Sequence, residues 1–156
     1  MSQAYQFKQC FLERSHHLSA GSSSEECVSL VRGWIEECEQ KHRKCAHERQ
    51  LRSEGASSSR LPSRIIDIGE KEGDRIRLTE TKGRSGRYVC LSHCWGKGQT
   101  LILTKENSAS LQNGISMSSL QSVYRDAIDF CRRLGVKYIL IDALCRYIIA
   151  PISELD

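Results

Sequence analysis

Three groups of residues combine side-chain types and spacings that could do chemistry. The first is Cys38-x-x-x-His42-x-x-Cys45. Thiolate and imidazole are zinc ligands, and helical steps of four and three put the three side chains on one face. The same face carries an apolar stripe of Cys27, Leu30, Val31 and Trp34. A structural zinc site takes four ligands; Cys27 and His47 are both open as a fourth, and no spacing decides between them. Reduced cysteine packs as a small buried hydrophobe, so the stripe is expected to face inward without metal. No cofactor is assigned.

The second group is His93-Cys94 with Asp142 and Cys145. A thiol, a base and an orienting carboxylate are the parts of a nucleophilic site. Adjacent His and Cys project in different directions from a strand end, however. The alternative is that Cys94, Trp95 and Cys145 pack the edge of a sheet while Asp142 caps backbone amides there. No catalytic residue is assigned on this basis. The third group, Gly96-x-Gly98, lacks the further glycine opening a helix and the acidic residue that a dinucleotide fingerprint needs. It reads as a turn.

The elements that must position these groups follow from periodicity. Ser23 followed by Glu26 fits a capping box, and the stripe predicts a helix to about Ala46. A Ser-rich linker follows, with Gly55 and Ser57-Ser58-Ser59. Ile65-Ile66-Asp67-Ile68 is a short strand candidate. Arg75–Thr79 alternates, with Ile76 and Leu78 on one face, and reads as a half-buried strand. The charged run Glu70–Asp74 between them is a solvated hairpin tip. Tyr88–Ser92 is apolar on both faces, which predicts a central strand. Lys105–Gln112 is a helical turn ending at Asn113-Gly114. Leu120, Val123, Tyr124, Ala127, Ile128, Cys131 and Leu134 mark a helix over 119–134, and Gly135 sits where a C-cap glycine belongs. Val136–Ile141 is a buried strand.

Strand 88–92, helix 119–134 and strand 136–141 form a β-α-β unit, which implies parallel strands and a right-handed crossover. His93-Cys94-Trp95-Gly96 and Asp142–Cys145 then lie at one carboxyl edge, where ligands of open α/β sheets bind. Trp95 is expected to pack against Leu144 or Cys145, and Asp142 to satisfy amides of the facing loop.

Composition narrows the class. The chain has 156 residues, 39% hydrophobic and 27% charged, with net charge +4, as in a folded domain rather than a fibre or a disordered chain. Lys82, Arg84, Arg87 and Lys97 stand between Thr81 and Gln99 without an acid. Nucleic-acid footprints are denser and interleaved with aromatics, so this is read as a solvated loop and no nucleic-acid partner is expected. No apolar run is long enough to span a membrane, and no secretory signal opens the sequence. The eight cysteines are therefore expected to be reduced thiols of a cytoplasmic protein.

Several segments, in order, resemble one family. Tyr88-Val89-Cys90-Leu91-Ser92-His93-Cys94-Trp95-Gly96 is similar to its signature Y-V-A-L-S-[YH]-C-W-G. Leu103-Thr104-x-x-Asn107 and Ile115 follow. So do Leu120-x-x-x-Tyr124-x-Asp126-Ala127-Ile128, Arg132-x-Leu134-Gly135 and Tyr138-Ile139-Leu140-Ile141-Asp142-Ala143-Leu144-Cys145. The chain resembles the fungal heterokaryon incompatibility (HET) domain. Trp34-Ile35-x-x-Cys38-x-x-x-His42-x-x-Cys45 and Leu61-Pro62-x-Arg64-x-Ile66-Asp67 resemble the segment that often precedes it. The motif residues are Ser92, His93, Cys94, Trp95, Gly96, Asp126, Ala127, Asp142, Leu144 and Cys145.

The match departs from the family where Leu120-Gln121-Ser122-Val123 replaces L-P-x-T and Leu140-Ile141-Asp142 replaces W-I-D. It stops after Cys145, so the sequence is read as a HET domain truncated after its I-D-x-L-C motif, a fragment with an exposed edge strand beyond Ile141. The organisation expected is a poorly ordered leader (1–24), a helix and linker (25–60), a partial HET domain (61–145) and a tail outside the family (146–156). The fold expected is α/β, a partial parallel β-α-β core with an N-terminal helix and a small hairpin. The resemblance adds a distant likeness to Toll/interleukin-receptor (TIR) and flavodoxin-like folds.

The resemblance implies a signalling and interaction domain of fungal non-self recognition, leading to programmed cell death. Its partners would be other incompatibility or signalling proteins, or its own copies. It is not expected to be an enzyme. The alternatives are a TIR-like NAD-cleaving enzyme and a nonfunctional gene fragment.

Overall fold

The computed structural model describes residues 24–42, 60–94 and 101–147. The chain forms two compact units, residues 1–46 and 47–156. The first carries helix α1, Glu25–Lys41. Its N-cap is Ser24, whose hydroxyl accepts from the Cys27 N–H at 3.2 Å, one residue later than the capping box places it; Ser23 lies outside the described residues. Glu25 and Glu26 in the first turn and Lys41 in the last suit the helix dipole.

The stripe on α1 differs from expectation. The buried residue is Val28, while Cys27, Leu30, Val31, Trp34 and Cys38 are partly exposed and His42 is exposed. The helix ends at Lys41, with His42 extended as its C-cap, so it stops short of Ala46. Helical period fixes which residues share a face but not how much of that face finds a surface to pack on. Cys45 lies outside the described residues.

The second unit is built on a four-stranded sheet. Strands β1 (Arg64–Asp67), β2 (Arg77–Glu80), β3 (Val89–Leu91) and β4 (Tyr138–Ile141) lie in the order β2-β1-β4-β3. β1 pairs antiparallel with β2, Ile66 opposite Leu78, and antiparallel with β4, Ile66 opposite Ile139. β3 and β4 are parallel, with Leu91 opposite Ile141. The β-α-β unit is therefore present as read from the sequence, and the fold is mixed α/β with a partly parallel sheet.

Strand order differs in two respects. β3 lies at an edge, with Cys90 exposed, and β4 lies inside, flanked by β1 and β3. The expected central strand and the expected edge have exchanged places. The cause is β1, which inserts beside β4 as the hairpin β1–β2 folds back. Ile65 and Ile66 are both fully buried, so the strand covered on both faces is β1.

Helix α2 (Ser108–Asn113), a 3₁₀ turn (Met117–Ser119), helix α3 (Ser122–Arg133) and the short helix α4 (Asp142–Cys145) complete the unit. α3 lays Tyr124, Ile128 and Cys131 onto a core containing Ile66, Leu78, Ile139 and Ile141. It ends in a Schellman motif: Val136 N–H donates to the Cys131 carbonyl at 2.9 Å and Gly135 N–H to that of Arg132 at 2.9 Å. Gly135 takes φ 72°, where a side chain would be strained.

Arg132 ties the hairpin to this helix. Its Nε and Nη2 donate to the Ile68 carbonyl at 3.0 and 2.7 Å, and Nη2 also to the Asp74 carbonyl at 3.1 Å. At the hairpin tip the Asp74 carboxylate accepts from the Glu70 and Lys71 N–H groups at 2.7 and 2.9 Å. Those two bonds, led by Lys71, hold its pKa below the usual value.

Candidate functional site at the carboxyl edge of the parallel strands

Parallel pairing of Leu91 with Ile141 makes the chain leave β3 and β4 at the same edge. Ser92 and Cys94 are exposed and His93 is partly buried. His93 Nε2 lies 3.1 Å from the Tyr124 hydroxyl oxygen, and the two rings meet edge to face, centroids 5.0 Å apart at 87°. Tyr124 is fully buried, and burial raises its pKa. It is a neutral phenol, able to donate to an unprotonated Nε2 or accept from a protonated one, so the contact suits either state of the imidazole.

The segment from β3 to α3 is braced by a second motif. Thr104 N–H donates to Asn107 Oδ1 at 2.9 Å, and Asn107 N–H donates back to Thr104 Oγ1 at 3.3 Å. Asn107 Nδ2 donates to the Ile102 carbonyl at 2.8 Å. These reciprocal bonds give the Leu103-Thr104-x-x-Asn107 spacing a physical cause: they close one turn and launch α2. Leu103 itself is fully buried and its N–H donates to the Ala143 carbonyl at 2.8 Å, which ties this turn to α4.

On the β4 side, Leu144 and Cys145 are buried. Burial pushes the Cys145 thiol up to about 11, so it is protonated at neutral pH and unsuited to nucleophilic attack. Asp142 is half exposed, and its carboxylate lies 3.5 Å from Arg146 Nη1. Residues 95–100 of the facing loop, whose amides it is expected to satisfy, lie outside the described residues. Its backbone opens α4, its carbonyl accepting from the Arg146 N–H at 3.0 Å.

The remaining motif residues divide by helix geometry. Ala127 packs against the core. Asp126, two positions from Tyr124 and so about 200° around the helix, is exposed and belongs to the opposite face. Trp95 and Gly96 lie outside the described residues, as does any packing of Trp95 on Leu144 or Cys145.

Elsewhere, Cys38 Sγ and His42 Nδ1 are 3.2 Å apart at the end of α1. Among the described residues, no three His, Cys, Asp or Glu side chains gather as a metal site, and no helix is long and apolar enough to cross a membrane.

Residues 88–147 match the family model of the heterokaryon incompatibility protein (HET). This segment belongs to the HET family. The HET match begins at the start of β3 and ends just after α4, so it covers the parallel pair, the crossover helix and the His93–Tyr124 contact between them. It links the chain to heterokaryon incompatibility. No curated protein and no solved structure matches the chain.

Two contributors stand in segments of the resemblance but are not among the candidate site residues. Tyr124 stands in the helical stripe, and a buried tyrosine hydroxyl calls for a polar partner, a signal that points toward the loop after β3. Arg64 carries none. Its Nε donates to the Cys145 carbonyl at 3.0 Å and its guanidinium lies 4.4 Å from the Tyr147 ring centroid, contacts set by tertiary structure alone.

Proposed function

We propose that this chain is a signalling and interaction domain of fungal non-self recognition, acting in the cytoplasm and leading to programmed cell death. The observation that carries this reading is the HET match over the segment in which His93 and Tyr124 join the loop after β3 to the crossover helix. The buried Cys145 thiol, its pKa pushed up to about 11, is unsuited to act as a nucleophile at this edge. Recognition would use the exposed surface at this edge, with other incompatibility or signalling proteins or a second copy as partners.

The test is inducible expression of the chain in a filamentous fungus, scored by vital-dye uptake, alongside incubation of the purified protein with NAD. Dye uptake after induction, with no release of nicotinamide, is the expected result. Nicotinamide release would replace this reading with a TIR-like NAD-cleaving enzyme. Healthy hyphae containing abundant folded protein would contradict the signalling role.

A further inference from the structure

A groove of about 560 Å³ runs between the segment entering β1 and the turn leaving β2, at the end of the sheet where β3 and β4 finish but on its β1–β2 side; Arg60, Ser63, Arg64, Glu80, Lys82 and Gly83 are among its lining residues. Three of its side chains are cationic and one, Glu80, is acidic. Arg84 adds a fourth cation nearby, pinned by its Nε to the Thr81 carbonyl at 3.1 Å.

The turn itself is unusual. Lys82 and Gly83 both take positive φ, 49° and 79°, and Arg84 N–H closes the turn on the Thr81 carbonyl at 3.0 Å. Left-handed backbone is unfavourable for lysine. Among the described residues, the Lys82 and Gly83 N–H groups have no acceptor. Arg60 packs over Gly83, where a Cβ would come within 3.2 Å of its Nη2. Arg64 is held from behind by the Cys145 carbonyl and the Tyr147 ring, which leaves its terminal nitrogens for a ligand.

A guanidinium held in place at Arg64, the further cations of Arg60 and Lys82 and unspent backbone N–H groups suit an oxyanion with several acceptor oxygens. The volume is that of a small-molecule site rather than a single ion. We infer that the groove formed by Arg60, Arg64 and the Lys82-Gly83 turn binds a phosphorylated small molecule through its phosphate oxygens. This chemistry is independent of the incompatibility reading, and either can fail alone.

Isothermal titration of the full chain with inorganic pyrophosphate tests it, at low and at physiological salt. Saturable one-to-one binding that weakens with salt is expected. Lys82→Gly is the decisive variant, because glycine suits the positive φ and the fold is kept or stabilised. Its melting temperature should hold or rise while pyrophosphate affinity falls about ten-fold, as for loss of one charged hydrogen bond. Arg60→Ala should weaken binding similarly, and Glu80→Gln should strengthen it. Absence of saturable binding would overturn the inference, as would unchanged affinity in a Lys82→Gly, Arg60→Ala double variant. Binding to phosphoinositide-containing vesicles without binding to free pyrophosphate would also overturn it, assigning the groove to a membrane headgroup.

Discussion

His93 Nε2 and the Tyr124 hydroxyl oxygen stand 3.1 Å apart, joining the loop after the edge strand to the buried face of the crossover helix. The phenol is fully buried, so the bond forms at the boundary between core and loop. Tyr124→Phe keeps the ring and removes the bond. A net loss of about 0.5–1.5 kcal/mol in urea unfolding is expected. Tyr124→Ala also removes the ring, and about 3–5 kcal/mol should be lost. Equal losses in the two variants would show that the hydroxyl, not the packing, dominates.

Two glycines should respond in opposite directions to alanine. Gly33 lies within α1 with nothing within 4 Å of an added Cβ, so Gly33→Ala should stabilise the helix by about 0.5–1 kcal/mol. Gly69 has φ 71°, and its Cβ would collide with Asp74 Cβ. Gly69→Ala must displace the carboxylate that holds the Glu70 and Lys71 amides in addition to straining the backbone, so its cost should exceed the roughly 1–2 kcal/mol of left-handed strain alone. Melting temperatures of the two variants, one above and one below wild type, check this.

Thiol reactivity should separate by burial. Cys90 and Cys94 are exposed, whereas Cys131 and Cys145 are buried, both pushed up by burial to about 11 from an ordinary value of 9.0. Mass spectrometry after brief alkylation of native protein should find Cys90 and Cys94 modified, with Cys131 and Cys145 modified only in denaturant. Rapid native labelling of Cys145 would place its thiol outside the core.

The same shifts set the pH profile of stability. A thiol with a raised folded pKa stays protonated when the unfolded thiol has already ionised. Its contribution is therefore complete below pH 9.0 and is lost as pH rises from there through about 11. Asp74 acts on the acid side: its depressed pKa gives stability that is present above 3.8 and is lost as pH falls through the folded value. Urea midpoints across pH should show both declines. Cys131→Ala should soften the alkaline one, and an unchanged alkaline slope in that variant would contradict the assignment.

Much of the parallel core was legible because its signals are local. The stripe through Tyr124, Ile128 and Cys131 and the glycine at 135 describe a helix and its cap within one segment, and two apolar strands around it leave a β-α-β unit as the simplest arrangement. Strand order was not legible. The antiparallel insertion of β1 beside β4 joins residues about seventy positions apart, and an apolar run at Tyr88–Ser92 looks alike at an edge or in the centre. On α1, the period correctly grouped Cys38 with His42 but could not reveal that Lys41 ends the helix. The carbonyl contacts of Arg64 and Arg132 escape sequence reasoning for the same reason: a guanidinium reaching a distant backbone oxygen leaves no pattern near itself.

The most direct measurement of the central claim compares wild type with His93→Ala in the induced-expression assay, at matched protein abundance and with unfolding curves for both. If the edge bearing His93 is the recognition surface of a death-signalling domain, the variant should remain folded, losing about 1–3 kcal/mol from the unpaired Tyr124 hydroxyl, while dye uptake falls to the level of uninduced cells. A folded, equally abundant His93→Ala protein that kills hyphae as wild type does would contradict the account.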